Sequence, residues 1–465
     1  MNDLLTLSGA AQARLIRERH VSSVELVQAH LDRIDQVNPK LNAAVQVFHE
    51  SALREARLAD ERLARGESAG PFDGVPFSIK DSIEVAGTVC TAGTLGLAYA
   101  LPSQRDATLV ERLRAAGAIP IAKTNLPDLL FAFESDNLIY GRTSNPYDLS
   151  RTSGGSSGGE SALIAAGASP FGLGSDAAGS VRVPAHFCGI ASIKPTSGRL
   201  ARTGHVPTAG GWLESVWQIG PMARHVEDLW ALMPLLLGPD GFDPTVVDMP
   251  HGNPSAVRLG GLRVAFFTDN GFAPPTPETV ATVQSAARAL AREVASLEEK
   301  RPPGIERSYE LEMRFLGPDG GDRLREFHKS LGNHTMHPLF EQWLAKLEPF
   351  RTTLAGFAQY WRELDHFRAG LFSFLADYDV ILGPVCAQPA MSHSTSTQDR
   401  NFAGFGYTMA FNMTGWPAAV VRCGESAEGL PIGVQIAAGP WREDIVLAVA
   451  RRLEELLGGW RAPAL

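Results

Sequence analysis

Residues 172–200 read GLGSDAAGSVRVPAHFCGIASIKPTSGRL, and a short apolar run lies at each end of the part that matters. The first, 171–174, ends at Gly174 and gives way to small residues leading into Ser180; the second, 190–193, reads IASI. Runs this short, bounded by Gly and Pro, fit buried strands better than helices. Six more of the same kind lie at 75–79, 118–122, 262–267, 380–382, 418–421 and 432–437. Helical patterns stand between them. From Val21 onward, Val24, Val27, Leu31 and Ile34 share one face, with Ser22 or Ser23 available as N-cap and Pro39 expected to stop the helix. Further helices are predicted over about residues 50–65 and 106–116. Strands alternating with helices imply an α/β fold: a central parallel or mixed sheet with helices covering both faces.

The rest of the chain fits one large domain over residues 1–465. Segments 238–262 and 300–343 depart from the rhythm, yet both keep aromatic and aliphatic anchors and read as excursions from one core. The sequence shows no internal repeat. Its 42 Lys and Arg against 51 Asp and Glu give a formal charge of -9, which does not suit a nucleic-acid binder. A 44% hydrophobic content supplies a core that needs neither disulfides nor metals. Cys90, Cys188, Cys386 and Cys423 are scattered, form no metal-ligand spacing, and are expected as reduced, partly buried thiols. The first twenty residues are polar and charged, unlike a secretory segment, and the longest apolar run, 229–237, is about half a membrane span. The expectation is a cytoplasmic chain, untethered to a membrane, that uses no cofactor and no metal and is a monomer or a homodimer.

Chemistry enters at residues 154–159, GGSSGG. Alone, such a hexapeptide is a flexible linker. Here ESALIAAGA follows as a helix start, so the loop amides would open onto a helix N-terminus and favour an anion. Phosphate is a poor fit, because the chain has no Gly-Lys-[Ser/Thr] and the loop is not GxGxxG after a strand. Residues 155–159 also match GxSxG formally, but with twelve His in the chain a following His is easily met by chance.

In the opening stretch, Ala177, Ala178 and Gly179 let backbone amides approach a ligand closely. Amides converging beside a serine hydroxyl suit a tetrahedral oxyanion, which makes Ser180 a candidate nucleophile. Ser180 needs a base, and the nearest His in sequence, His186, has no acid evidently paired with it. A lysine serves if burial or a nearby cation keeps its amine neutral. Lys80, at the end of the run GVPFSIK, is placed to point from a sheet edge into a cleft.

With these residues in view, the chain resembles the amidase signature family of serine hydrolases. The stretches GVPFSIKDSIEVAGT, AIPIAKTNLPDLLF, NPYDLSRTSGGSSGGESALIAAG, the opening stretch itself and FNMTGWPAAVVRCGESAEGLPIGVQIAA resemble family blocks in family order, covering most of residues 71–227 and 405–455. The resemblance implies a Ser-cisSer-Lys triad with Ser180 as nucleophile, Ser156 as bridging serine on a cis peptide, and Lys80 as base. The family's spacing of 24 between its serines selects Ser156 over Ser157, since 180 minus 156 is 24. It further implies an oxyanion held by the amides of Ala177, Ala178, Gly179 and Ser180, with Ser157 and Asp176 bracing the loop. Many relatives carry glycine where this chain has Ala178, a change that would matter at a position of positive φ.

The implied activity is hydrolysis of a small-molecule amide, small or medium and acyl or aryl, by a stand-alone amidase. The region expected to shape the substrate pocket is 262–380, where Phe315, Phe327, Leu339, Phe340, Trp343, Phe350, Phe357, Tyr360 and Trp361 read chiefly as core. The alternatives are a glutaminase subunit of a tRNA-dependent amidotransferase and a catalytically silent binding protein of the same fold. Retention of Lys80, Ser156 and Ser180 together argues against the second.

Overall fold

The structure is a computed structural model that describes residues 3–208 and 211–465. Among the described residues, eleven strands build one sheet: β1 (Ala44–Val47), β2 (Pro76–Lys80), β3 (Ile119–Thr124), β4 (Phe171–Asp176), β5 (Ala191–Lys194), β6 (Gln218–Ala223), β7 (Arg263–Phe266), β8 (Ser296–Glu299), β9 (Val380–Pro384), β10 (Ala418–Glu425) and β11 (Pro431–Ala438). Their spatial order is β1-β3-β2-β4-β6-β5-β10-β11-β9-β7-β8. Strand β2 runs parallel to both β3 and β4, and β7 runs parallel to both β8 and β9. The remaining pairs are antiparallel, so the sheet is mixed.

Side chains alternate across the sheet with period two and feed a core on each face. On β10, Ala418 and Val420 join one core while Ala419 and Val421 join the other; on β9, Ile381 opposes Val380 and Leu382. One face is covered by helices Val226–Leu236, Pro277–Leu290 and Glu443–Leu457. In the first of these, Leu229, Leu232, Met233 and Leu236 make the apolar stripe. The other face carries helices Gly158–Ala165, Arg182–Cys188, Gly406–Met413 and Leu354–Phe374. Each fully buried aliphatic side chain contributes about 1.5–3 kcal/mol. All four cysteines are free and buried.

Each of the eight runs read as strands falls on an observed strand; β1, β6 and β8 had no counterpart in that reading. The helix Ser23–Leu41 is capped by Ser22, whose side chain accepts from the Glu25 amide while the Glu25 carboxylate accepts from Ser22 N-H, a capping box. Pro39 does not stop it. The helix runs two residues further and ends on Asn42 in the left-handed region (φ 50), where the Asn38 side chain accepts from the Ala43 and Ala44 amides at 2.8 Å each. A proline in the last turn removes one amide donor, and these side-chain bonds rather than the ring set the end. Among the described residues, no helix is long and apolar enough to cross a membrane.

Candidate active site

Because β2 and β4 are parallel neighbours, their C-terminal ends reach the same edge of the sheet, where crevices of open α/β sheets form. Lys80 ends β2, and Ser175 with Asp176 ends β4. The loop 154–157 brings Ser156 to the same place ahead of helix Gly158–Ala165. Lys80 Nζ lies 2.6 Å from Ser156 Oγ, 3.1 Å from Ser175 Oγ and 3.5 Å from the Ser175 carbonyl. The Gly155-Ser156 peptide is cis. Gly155 has no room for a side chain, since a Cβ there would sit 2.5 Å from the Ala132 carbonyl oxygen. Ser156 and Ser180 line one cavity, and the Ser157 amide donates to the Ser180 carbonyl at 3.1 Å.

Burial of the Lys80 side chain pushes its amine well below the ordinary ammonium range, against the smaller opposing pull of Asp176 and Glu160. Glu160 opposes only weakly when protonated, and burial raises it to about 8 despite hydrogen bonds from Ser78 and Thr124. Asp176 is the ionised carboxylate. Burial works against its charge, but the Arg182 guanidinium and several hydrogen bonds hold it well below the usual carboxylate range. Arg182 grips Asp176 through Nε at 3.0 Å and Nη2 at 2.9 Å, with both side chains buried. Arg182 also donates to the Thr408 carbonyl, Gln435 and Asn412.

Asp176 in turn accepts from the amides of Gly179 at 2.8 Å and Val181 at 3.1 Å, and so pins the loop on which Ser180 sits. Ser157 ties the other loop to β4, its hydroxyl lying 3.3 Å from both the carbonyl and the amide of Ser175. The geometry differs from the sequence expectation at Gly179: its amide is committed to Asp176, whereas Ala177 and Ala178 line the cavity. The left-handed residue of the loop is Gly179 (φ 124), and a Cβ there would meet Thr408 Cβ at 2.9 Å. Ala178 is absent from the residues of positive φ, so its methyl group carries no backbone penalty. The expected anion site at residues 154–159 also differs. The Gly158 amide donates to Ser135 Oγ at 2.9 Å and the Gly159 amide to the Asn125 carbonyl at 3.1 Å, which occupies the donors an anion would use.

The cavity holds about 250 Å³ and is walled by Leu129, Phe131, Phe133, Val216 and Trp217. The region 262–380 contributes Leu316, Leu324, Phe327 and Trp343. Two of the aromatics read as core therefore face the cavity as well; Trp343 is also buried, because one ring can pack with one face and line with the other. Leu129 and Leu130, both on the wall, have φ of 47 and 70, a conformation that costs a non-glycine residue about 1–3 kcal/mol and is typical of binding sites. Sequence reasoning missed Ser175 and His205, which also line the cavity. Ser175 is the residue beside Asp176, but nothing in the RTGHVP context singles out His205. Among the described residues, no group of three His, Cys, Asp or Glu is placed to hold a metal ion.

A family model described as Amidase matches residues 25–447 of this chain. The chain belongs to the amidase signature family. It is 34% identical to human fatty-acid amide hydrolase 2 over 493 residues, covering 99% of this chain and 91% of that protein. It is 31% identical to a glutamyl-tRNA(Gln) amidotransferase subunit of Geobacillus thermodenitrificans, covering 95% of each. Its fold is similar to that of 6-aminohexanoate cyclic dimer hydrolase solved with its substrate, with a TM-score of 0.86, 29% identity and 99% of each chain covered. As an amidase signature enzyme, the chain hydrolyses amides, carbon-nitrogen bonds other than peptide bonds.

Proposed function

We propose that this amidase works alone on small or medium amides with an apolar acyl group, through an acyl-enzyme on Ser180. The observation that carries this reading is the buried Lys80 amine 2.6 Å from Ser156, which together with Ser180 lines an apolar cavity. Ser180 Oγ attacks the carbonyl carbon as its proton passes to Ser156, whose own proton passes to Lys80. Amides of Ala177, Ala178 and Ser180, residues that line the cavity, hold the oxyanion, while that of Gly179 stays with Asp176. As the intermediate collapses, Ser156 hands its proton to the departing nitrogen and recovers one from Lys80. The C-N bond breaks and ammonia or an amine leaves. Water then attacks the ester along the same proton path, releasing a carboxylate and restoring Ser180.

The glutaminase reading draws on the amidotransferase relative. The lining weighs against it. Apart from Asp176, which Arg182 already neutralises, the charged side chain on the cavity among the described residues is Arg323 at an exposed position, whereas a glutamine zwitterion needs partners for both charges. The test is a hydrolysis screen over aliphatic amides of increasing length, aryl amides and glutamine, with Ser180→Ala as control. Turnover of apolar amides by the isolated chain is expected. Glutamine as the preferred substrate, hydrolysed only with added partner subunits, would overturn the proposal.

A further inference from the structure

We infer that His205 is a positioning residue that, through the Ser175 hydroxyl, aims the lone pair of Lys80 at Ser156. The inference rests on the function proposed above and adds to it a residue outside the triad.

His205 sits in an isolated antiparallel bridge with Ile83, and the Val206 amide donates to the Ser82 carbonyl at 2.7 Å, so the imidazole is anchored to the segment that follows β2. Trp217 packs against the ring with centroids 4.3 Å apart. His205 Nδ1 lies 3.1 Å from the Pro207 carbonyl oxygen. A carbonyl only accepts, so Nδ1 carries the proton and Nε2 is a bare acceptor in the neutral ring. Burial, with smaller contributions from Lys80 and Arg202, lowers the imidazole to about 3, so the ring is neutral across the working range.

Nε2 faces two hydroxyls, Ser175 Oγ at 3.0 Å and Ser82 Oγ at 3.1 Å. Nε2 has no proton to give, so both hydroxyls donate to it and share its one lone pair, Ser175 from the shorter distance. Ser175 thereby turns its proton away from Lys80 and offers Nζ, 3.1 Å away, only lone pairs. A neutral amine has two N-H donors and one lone pair. With the Ser175 hydroxyl and carbonyl oxygens accepting N-H, the lone pair is left for the Ser156 hydroxyl at 2.6 Å, the direction a base requires. Without His205 the Ser175 proton is free to rotate onto the Lys80 lone pair and block it.

The charged and titratable groups facing this assembly are Asp176 on β4, Glu160 on helix Gly158–Ala165, and Arg202. Arg202 is engaged by Asp243 and Glu214. None of these stands between His205 and Ser175. A Ser175 hydroxyl pointed at Lys80 favours the neutral amine, because only that form has a lone pair to accept it, and so lowers the amine's pKa. Two effects then occur together: fewer productive amines and an earlier acidic limb.

The test uses the full-length enzyme with His205→Phe, His205→Gln and Ser175→Ala, recording kcat and KM against pH beside thermal unfolding. We expect His205→Phe to lower the kcat plateau on the order of 10- to 100-fold with KM unchanged, and to move the acidic limb to lower pH. His205→Gln, which restores an acceptor oxygen near the Nε2 position, should return the limb to its wild-type place and recover most of the rate. Ser175→Ala, which deletes one hydroxyl and no backbone bond, should shift the limb in the same direction as His205→Phe. It carries the test if His205→Phe fails to fold. A wild-type profile for either His205→Phe or Ser175→Ala overturns the inference, as does a lowered plateau with an unmoved limb in both. If Lys80→Ala retains activity, the underlying mechanism fails instead, so the two failures are told apart.

Discussion

Replacing Arg182 by methionine tests what holds the Ser180 loop in place. Methionine keeps most of the length of the side chain and none of its charge. The buried Asp176 would then keep a negative charge supported by the Gly179 and Val181 amides and the Asn412 amide group at 2.9 Å, without its guanidinium. Removing one partner of a buried ion pair typically costs about 3–5 kcal/mol, against a total stability of about 5–15 kcal/mol for a domain. Because the same carboxylate pins Gly179 and Val181 on either side of Ser180, activity should fall as well, on the order of 10²-fold for a displacement of about 1 Å. Urea unfolding at neutral pH measures the first effect and kcat/KM the second. Asp176→Asn and the double variant complete the cycle, and the double variant should be less destabilised than the sum of the singles by about 0.5–3 kcal/mol. Sign follows from linkage. The Asp176 carboxyl is depressed in the folded state, so its stabilisation is present above the unfolded value of about 3.9 and is lost as pH falls through the lower folded value. The gap between wild type and Arg182→Met should therefore narrow in acid. Single-variant costs that add within about 0.3–0.5 kcal/mol would falsify the view that these two residues act as a unit.

Ser180→Ala and Lys80→Met should leave unfolding curves near wild type while removing nearly all amide hydrolysis; loss of the lysine base alone should cost about 10²–10⁴-fold, and a fully active Lys80→Met would sink the mechanism. The wild-type rate should rise with pH as the Lys80 amine loses its proton, and it should do so well below the ordinary lysine range, read directly from kcat against pH. Glu160 is raised to about 8, so the folded protein holds a proton that the unfolded chain has released, and stability should fall as pH rises from about 4.5 through 8; Glu160→Gln should flatten that slope in unfolding titrations, and an unchanged slope would contradict the assignment. Phe327→Ala should enlarge the cavity and move the preferred acyl group to a longer chain, with each methylene changing relative kcat/KM by about 10–200-fold, whereas an unchanged chain-length profile would place Phe327 outside the acyl pocket.

Legibility in the sequence tracked composition. Strands such as β4 and β11 are buried along their whole length and read as apolar or small runs, with Asp176 at the end of the first and Gln435 as the one large polar residue of the second. Strand β8 is an edge strand of sequence SLEE with three exposed residues, and β6 carries Gly220 and Pro221 in the middle of the sheet, so neither has the composition that announces a strand. At Gly220 the reason is contact: a Cβ would collide with the Ile193 carbonyl of the neighbouring strand. At the site, Lys80 and the serines were readable because a family resemblance attached meaning to short local blocks. His205 was not, since its hydrogen bonds reach Ser175 and Ser82, thirty or more residues away, and only the folded chain brings them together. Phe327 and Trp343 show the same limit. Helical spacing says which face of a helix is apolar, without saying whether that face meets another helix or an empty space.

The strand order has a consequence for biosynthesis. The six strands β1 to β6 are contiguous in the sheet, as are β9, β7 and β8, and β10 with β11 fills the gap between the two groups. A nascent chain halted before residue 418 therefore presents two unfinished sheets whose facing edges, β5 and β9, have no partners. The β10-β11 hairpin, which follows both groups in the chain, is the one that joins them, and until it arrives those open backbone edges are exposed to wrong pairing with other chains.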